Sequence, residues 1–182
     1  ESVAWTPAGG PQLLKRGLLG RPAIVRRRYD GKAEQIDAST QRVLGPRSTV
    51  AVTGPCRPPA DADGDGVEEL FLRDAYGVVV LDGETLERKA WFYTYDLAVG
   101  DVTGDGRADI VLANGEVYDP VRMTLVATSP VSVTSIAGLA DVDDDGTDEV
   151  LLILGTPRAL AAWDLDRQGL LWISPAESNH DF

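Results

Sequence analysis

A ten-residue segment returns three times along this chain at an even spacing, and no other feature limits the fold so strongly. The copies are Asp61–Leu70 (DADGDGVEEL), Asp101–Ile110 (DVTGDGRADI) and Asp141–Val150 (DVDDDGTDEV), with first residues 40 positions apart. Each reads D-x-[DT]-x-D-G-x-x-[DE] and ends on an apolar residue. A fixed period in this range marks a repeat architecture, in which each unit is one supersecondary element. A short apolar run follows every copy: Leu70-Phe71-Leu72, Ile110-Val111-Leu112 and Val150 to Leu154. Turn signals come next, then second runs that close on Leu81-Asp82, Tyr118-Asp119 and Trp163-Asp164. Further runs lie at Ala90–Tyr93, Leu125–Ala127 and Leu170–Ile173, and others precede two of the copies, at Leu97–Val99 and Ile136–Leu139. Four short strands and their turns per 40 residues predict an all-β chain of β-propeller blades.

The first 60 residues carry the same template in worn form. Ile36-Asp37-Ala38-Ser39-Thr40 matches Leu81-Asp82-Gly83-Glu84-Thr85, and Ala23-Ile24-Val25 takes the second-strand place. Ser2–Thr6 matches Thr49–Thr53, which predicts Thr49–Thr53 as the inner strand of the second unit. Four blades result, near 1–47, 48–94, 95–132 and 133–182, within a single domain over 1–182. In the first, Pro7–Gly20 replaces the acidic segment; in the second, Pro55–Pro59 is an insertion. Only Gln12–Leu19 has the makings of a helical turn or two. Four blades are compatible with a small closed ring, a half-ring that pairs with another copy, or a section of a larger propeller. The section or half-ring ranks slightly first.

The acidic segments have the chemistry of cation loops. A hard cation such as calcium takes about six to eight oxygens at roughly 2.3–2.6 Å. Side chains at loop positions 1, 3 and 5 converge if the chain turns tightly, and the glycine at position 6 permits that turn. Position 7 then supplies a carbonyl and position 9 a carboxylate. The ligand sets are Asp61, Asp63, Asp65, Val67 and Glu69; Asp101, Thr103, Asp105, Arg107 and Asp109; and Asp141, Asp143, Asp145, Thr147 and Glu149. Up to three Ca²⁺ are expected. Magnesium wants a tighter octahedron, and transition metals prefer imidazole or thiolate. Thr103 brings a neutral hydroxyl, so the middle loop is expected to bind most weakly. An isolated copy reads equally well as a polar Asp-Gly turn; three in register favour the metal.

Charge and composition narrow the function. The net charge is −12, yet residues 1–60 carry a net +6 and residues 61–182 a net −18. The three loops hold fourteen of the 29 acidic residues, so the acidity belongs to the loops. An acidic chain argues against nucleic acid, and no apolar run reaches the roughly 18 residues of a membrane helix. One cysteine (Cys56) excludes an internal disulfide, and one histidine (His180) leaves little for a His-based metal site or triad.

Together the segments AVGDVTGDGRADIVLANG (98–115), GLADVDDDGTDEVLLILG (138–155) and DADGDGVEELFLRD (61–74) resemble the FG-GAP/VCBS family of β-propeller repeats, known from integrin α-subunit heads and bacterial surface proteins. The resemblance covers 48–182 well and 1–47 weakly. It implies four-stranded antiparallel blades with calcium held between the first and second strands. Glu69 and Glu149 stand where that family more often has Asp, and its rings more often close with seven blades.

From these readings we expect a non-catalytic, calcium-binding propeller at the cell surface or outside the cell, with a periplasmic location also compatible. Its partner would be a protein or a glycan, in adhesion or assembly, and self-association or a place in a larger complex fits. The competing expectation is the propeller domain of a secreted carbohydrate-active enzyme, a lyase or hydrolase; no paired acid and base outside the loops supports it. The abrupt start at Glu1 fits a processed N-terminus. Arg26-Arg27-Arg28 is read as structural, because strand alternation sends neighbours to opposite faces. The four tryptophans (Trp5, Trp91, Trp163, Trp172) are read as packing between blades rather than sugar platforms.

Overall fold

A computed structural model describes residues 12–15, 21–155 and 158–175. The expectations placed on Ser2–Thr6, Trp5 and His180 lie outside the described residues. Sixteen strands and no helix are described. They form four sheets of four, each an antiparallel meander in chain order. The first sheet holds β1 (Gln12–Leu14), β2 (Ala23–Arg27), β3 (Lys32–Asp37) and β4 (Val43–Ala51). The second holds β5 (Gly54–Pro55), β6 (Leu70–Arg73), β7 (Val78–Leu81) and β8 (Arg88–Phe92). The third holds β9 (Leu97–Gly100), β10 (Asp109–Leu112), β11 (Glu116–Asp119) and β12 (Thr124–Thr128). The fourth holds β13 (Val133–Ala140), β14 (Glu149–Leu154), β15 (Ala159–Asp164) and β16 (Gly169–Ile173). The sheets fall into two compact units, Glu1–Tyr95 with the first two and Asp96–Phe182 with the last two.

Two local expectations are corrected. Thr49–Ala51 is the end of β4, paired with β3 in the first sheet, and not the inner strand of the second. That inner strand is the Pro-rich segment itself: Gly54 and Pro55 pair with Arg73 and Leu72, and Ala60 bridges Glu69. Proline fits there because an inner edge strand need not donate every N–H to a neighbour. Gln12–Leu14 is a strand and not a helical turn. Three residues between nearby glycines and a proline cannot repay helix nucleation, while pairing with β2 satisfies them at once.

Two middle strands are buried at every position, Val78–Leu81 in β7 and Asp109–Leu112 in β10, and both are apolar runs apart from Asp109. Such runs lack alternation because neither side faces water. In the first unit Leu14, Ala23 and Val25 of the first sheet pack with Leu70, Leu72, Val79 and Leu81 of the second. In the second unit Val111 and Val117 pack with Val150, Leu152, Ala161 and Trp163. Each fully buried leucine or valine contributes about 1.5–3 kcal/mol relative to exposure. Of the described tryptophans, Trp163 joins a core as expected, but Trp91 and Trp172 are about 40% exposed on outer strands. Arg26 and Arg28 both pair with buried Glu34, and Arg27 donates to the Val52 carbonyl at 2.6 Å, so the arginine run is structural.

One hairpin recurs in all four sheets and shows that the first belongs to the series. The third strand closes on Asp37, Asp82, Asp119 or Asp164, and the carboxylate accepts N–H groups two or three residues on. Four residues after each aspartate comes a left-handed residue: Gln41, Leu86, Met123 or Gln168, with φ of 58°, 59°, 53° and 52°. In the last three sheets a register shift stands just before the aspartate, and such a bulge re-aims the residues beside it. Gly83, after Asp82, lies so close to the first acidic loop that a Cβ would stand 2.0 Å from the Glu68 carbonyl oxygen. Backbone cannot yield cheaply, so Gly83→Ala is expected to cost about 1–3 kcal/mol. A lowered urea midpoint with an unchanged slope is the check.

Candidate metal centre

Each acidic loop links the inner strand of its sheet to the second, and one hydrogen-bond set holds all three. The position-1 aspartate accepts the N–H of the position-6 glycine: Asp61 from Gly66 at 3.0 Å, Asp101 from Gly106 at 2.8 Å, and Asp141 from Gly146 at 3.0 Å. The position-5 aspartate accepts the position-7 N–H: Asp65 from Val67, Asp105 from Arg107, and Asp145 from Thr147, at 2.7, 2.9 and 3.0 Å. The position-9 carboxylate, buried at the start of the second strand, reaches back to the position-2 N–H: Glu69 to Ala62, Asp109 to Val102, and Glu149 to Val142. Positions 4 and 6 both have positive φ: Gly64 and Gly66, Gly104 and Gly106, Asp144 and Gly146. That double left-handed turn wraps the chain around the acids, and Asp is among the few non-glycine residues that tolerate it.

The loops then diverge. In the first, carboxylate oxygens of Asp61, Asp63 and Glu69 lie within 4.8 Å of one another; Asp65 stays with its own turn. In the third, Asp141, Asp143 and Glu149 converge in the same way, and a second group of Asp143, Asp145 and Asp164 overlaps it. The middle loop forms no such group among the described residues. One oxygen of Asp109 accepts from the Val102 N–H, the Thr103 N–H and the Thr103 hydroxyl, at 3.0–3.1 Å. Thr103 therefore engages a carboxylate where its counterparts add one. Asp101, Asp105 and Arg107 keep their places in the turn but gather no third acid.

Electrostatics follows from this geometry. Burial pushes the Glu69, Asp109 and Glu149 carboxyls above the usual range, and in Glu149 the charges of Asp143, Asp145 and Asp164 add to it. Close, desolvated carboxylates stay ionised only if a positive charge joins them. Two side chains that motif spacing did not reveal do so. Lys89 on β8 places its ammonium on Asp63, at 3.0 Å from Glu69 and 3.9 Å from Asp65. Burial opposes its charge, but the bonds to Asp63 and Glu69 prevail and hold it well above the ordinary lysine range. Glu69 moves up all the same: for this almost fully buried carboxyl, loss of water outweighs the lysine. At the third loop Arg167 bonds Asp143 and faces Asp145 at 3.7 Å and Asp164 at 3.4 Å. Asp37 shows the hairpin aspartate without a loop beside it: the Ser39 hydroxyl and the Thr40 N–H lower it to about 2.

The acidic groups of the first and third loops offer hard oxygen donors, and two buried oxygens at the third, Asp143 Oδ1 and Asp164 Oδ2, accept no hydrogen bond. Both features suit a divalent cation. Asp164 was legible as a recurring strand-end aspartate, but nothing in its spacing placed it beside the loop. Elsewhere in the first unit, Arg73, Asp74, Tyr76, Tyr93 and Tyr95 line an open cleft of about 440 Å³. Trp91 beside it is held by an Nε1–H bond to Asp74 at 2.8 Å and by a ring contact with Tyr93.

Comparison with solved structures decides the fold. BamB from Moraxella catarrhalis superposes with a TM-score of 0.54 at 17% identity, over 95% of this chain and 50% of that one. BBS1N, solved in complex with ARL6DN, gives 0.55 at 12% identity, over 97% of this chain and 58% of that one. Both are β-propellers. So is this chain. Hydrazine synthase from Kuenenia stuttgartiensis also matches, with a TM-score of 0.50 at 16% identity over 84% of this chain and 45% of that one. The propeller spans about half the length of these solved chains, and identities this low speak for the fold alone. No protein-family model and no curated protein sequence matches it. Among the described residues no helix is long and apolar enough to cross a membrane.

Proposed function

We propose that this β-propeller is a calcium-binding module of the FG-GAP/VCBS type that works outside the cell, binding a protein or glycan partner without catalysis of its own. One observation carries the reading: the first and third loops bring the same positions, 1, 3 and 9, to one point, within a turn that repeats bond for bond. Calcium suits the hard, crowded oxygen set, and its abundance outside cells favours that location. The tyrosine-lined cleft supports the binding role, since aromatic faces offer large apolar contact with a polar tip. A module that matches half of longer solved chains also suits a place within a larger polypeptide or assembly.

Equilibrium dialysis against calcium tests the reading. Between one and three ions per chain are expected at millimolar supply, with the third loop filling first. No bound calcium at that supply rejects it.

A further inference from the structure

Asp164 stands beside the third acidic loop without belonging to it. It closes β15 and is 3% exposed. Its Oδ1 accepts the Arg167 N–H at 2.9 Å and so forms the hairpin turn. Its Oδ2 is buried and accepts no hydrogen bond. One carboxylate oxygen of Asp164 lies within 4.8 Å of oxygens of Asp143 and Asp145, and the Arg167 Nε stands 3.4 Å from Oδ2. Asp143 belongs to both overlapping acidic groups, and its Oδ1 is likewise buried without a hydrogen-bond donor. Asp82 and Asp119 hold the same place in their sheets, yet neither joins such a group among the described residues. A buried carboxylate oxygen without a hydrogen bond bears a desolvation cost that an ion-pair contact at 3.4 Å offsets only in part, and two such oxygens on residues of one acidic group favour a cation.

Building on the calcium reading, we propose that Asp164 is a ligand of the cation held by the third loop. The loop offers Asp141, Asp143, Asp145 and Glu149, and Asp164 adds a fifth carboxylate from the neighbouring hairpin. Arg167, whose side chain is 55% exposed, stands over the cluster and yields its place as the cation enters. Five carboxylates and a loop carbonyl exceed what a hydrated magnesium octahedron accepts and match the larger calcium shell. The third loop is therefore the tightest and the most calcium-selective of the three.

The intact chain can be tested by amide NMR, with Gly66, Gly106 and Gly146 as separate reporters because each donates to the first aspartate of its own loop. In calcium titrations Asp164→Asn, which keeps the Oδ1 acceptor of the turn, should raise the Gly146 midpoint by roughly tenfold or more. Gly66 should titrate as before, which also reports an intact fold. Arg167→Gln, which leaves every carboxylate in place, should lower the Gly146 midpoint severalfold. A Gly146 midpoint unchanged in Asp164→Asn while Gly146 still responds to calcium overturns the role of Asp164 alone. Should Asp164→Asn lose its fold, Arg167→Gln decides, and an unchanged midpoint there overturns the proposal. Silence of all three glycines at millimolar calcium in the parent chain rejects the calcium reading and this ligand with it.

Discussion

On the proposed calcium reading, chelation is expected to lower the melting temperature of this propeller by roughly 5–10 °C for each loop that empties. The magnitude follows from mass action: calcium at 100 times its dissociation constant adds about 2.7 kcal/mol per site to the native state. For chains of about 150–250 residues each kcal/mol moves the midpoint by roughly 2–4 °C. The physical origin is the set of buried position-9 carboxylates, Glu69, Asp109 and Glu149, whose burial disfavours the ionised form. In the native state they face other acids, while in the unfolded chain water separates them. A divalent ion reverses that balance. Scanning calorimetry with calcium, with magnesium and with chelator is the measurement, and magnesium should recover only a small part of the shift. Equal midpoints in calcium and in chelator would remove metal from the account of this fold.

Replacing Lys89 by Gln has the second large effect, and its sign depends on calcium. Without the metal the ammonium is the counter-charge for Asp63 and for Glu69, whose side chain is 2% exposed. Removing one partner of a buried pair costs about 3–5 kcal/mol. Lys89 is partly exposed, so about 2–3 kcal/mol is expected, lowering the midpoint by roughly 4–12 °C. With calcium present the order changes, because the ion no longer has to displace an ammonium from Asp63. Lys89→Gln should therefore show a larger gap between its calcium and chelator midpoints than the parent chain. If it melts like the parent in chelator, Lys89 is not what holds the first loop together. The lysine offsets one of that loop's negative charges at rest, which an acidic motif read alone would not suggest.

Much of this was written in the chain as periodicity. The 40-residue repeat required repeated units, and the apolar runs after each acidic segment required short strands. The Asp-x-x-Thr pattern at Asp37 marked the worn first sheet, since its aspartate bonds to the same turn positions as Asp82 does. Local chemistry makes such features legible: a glycine at position 6 or an aspartate at a turn acts within a few residues. The strand at Gly54–Pro55 escaped because Pro55–Pro59 is punctuation to a sequence reader, while in the sheet the segment pairs with Leu72 and Arg73 and its Cys56 N–H donates to the Phe71 carbonyl, far along the chain. Thr49–Ala51 misled for the converse reason: an apolar β-branched segment pairs with whichever neighbour the fold supplies.

The loops divide along the same line. Sequence alone determined that three acidic turns exist, where their glycines fall and which carboxylates each could offer, because those depend on spacing within nine residues. Thr103 also marked the middle loop as the weakest, but only tertiary structure decided what each loop meets from the rest of its sheet. Thr103 occupies the oxygen of Asp109 in the middle loop, Lys89 arrives from β8 at the first, and Asp164 with Arg167 arrives from the β15 hairpin at the third. Charges separated by 20 residues of chain interact only once the sheet brings them within a few ångströms, and at that range they decide which carboxylates are left for a metal.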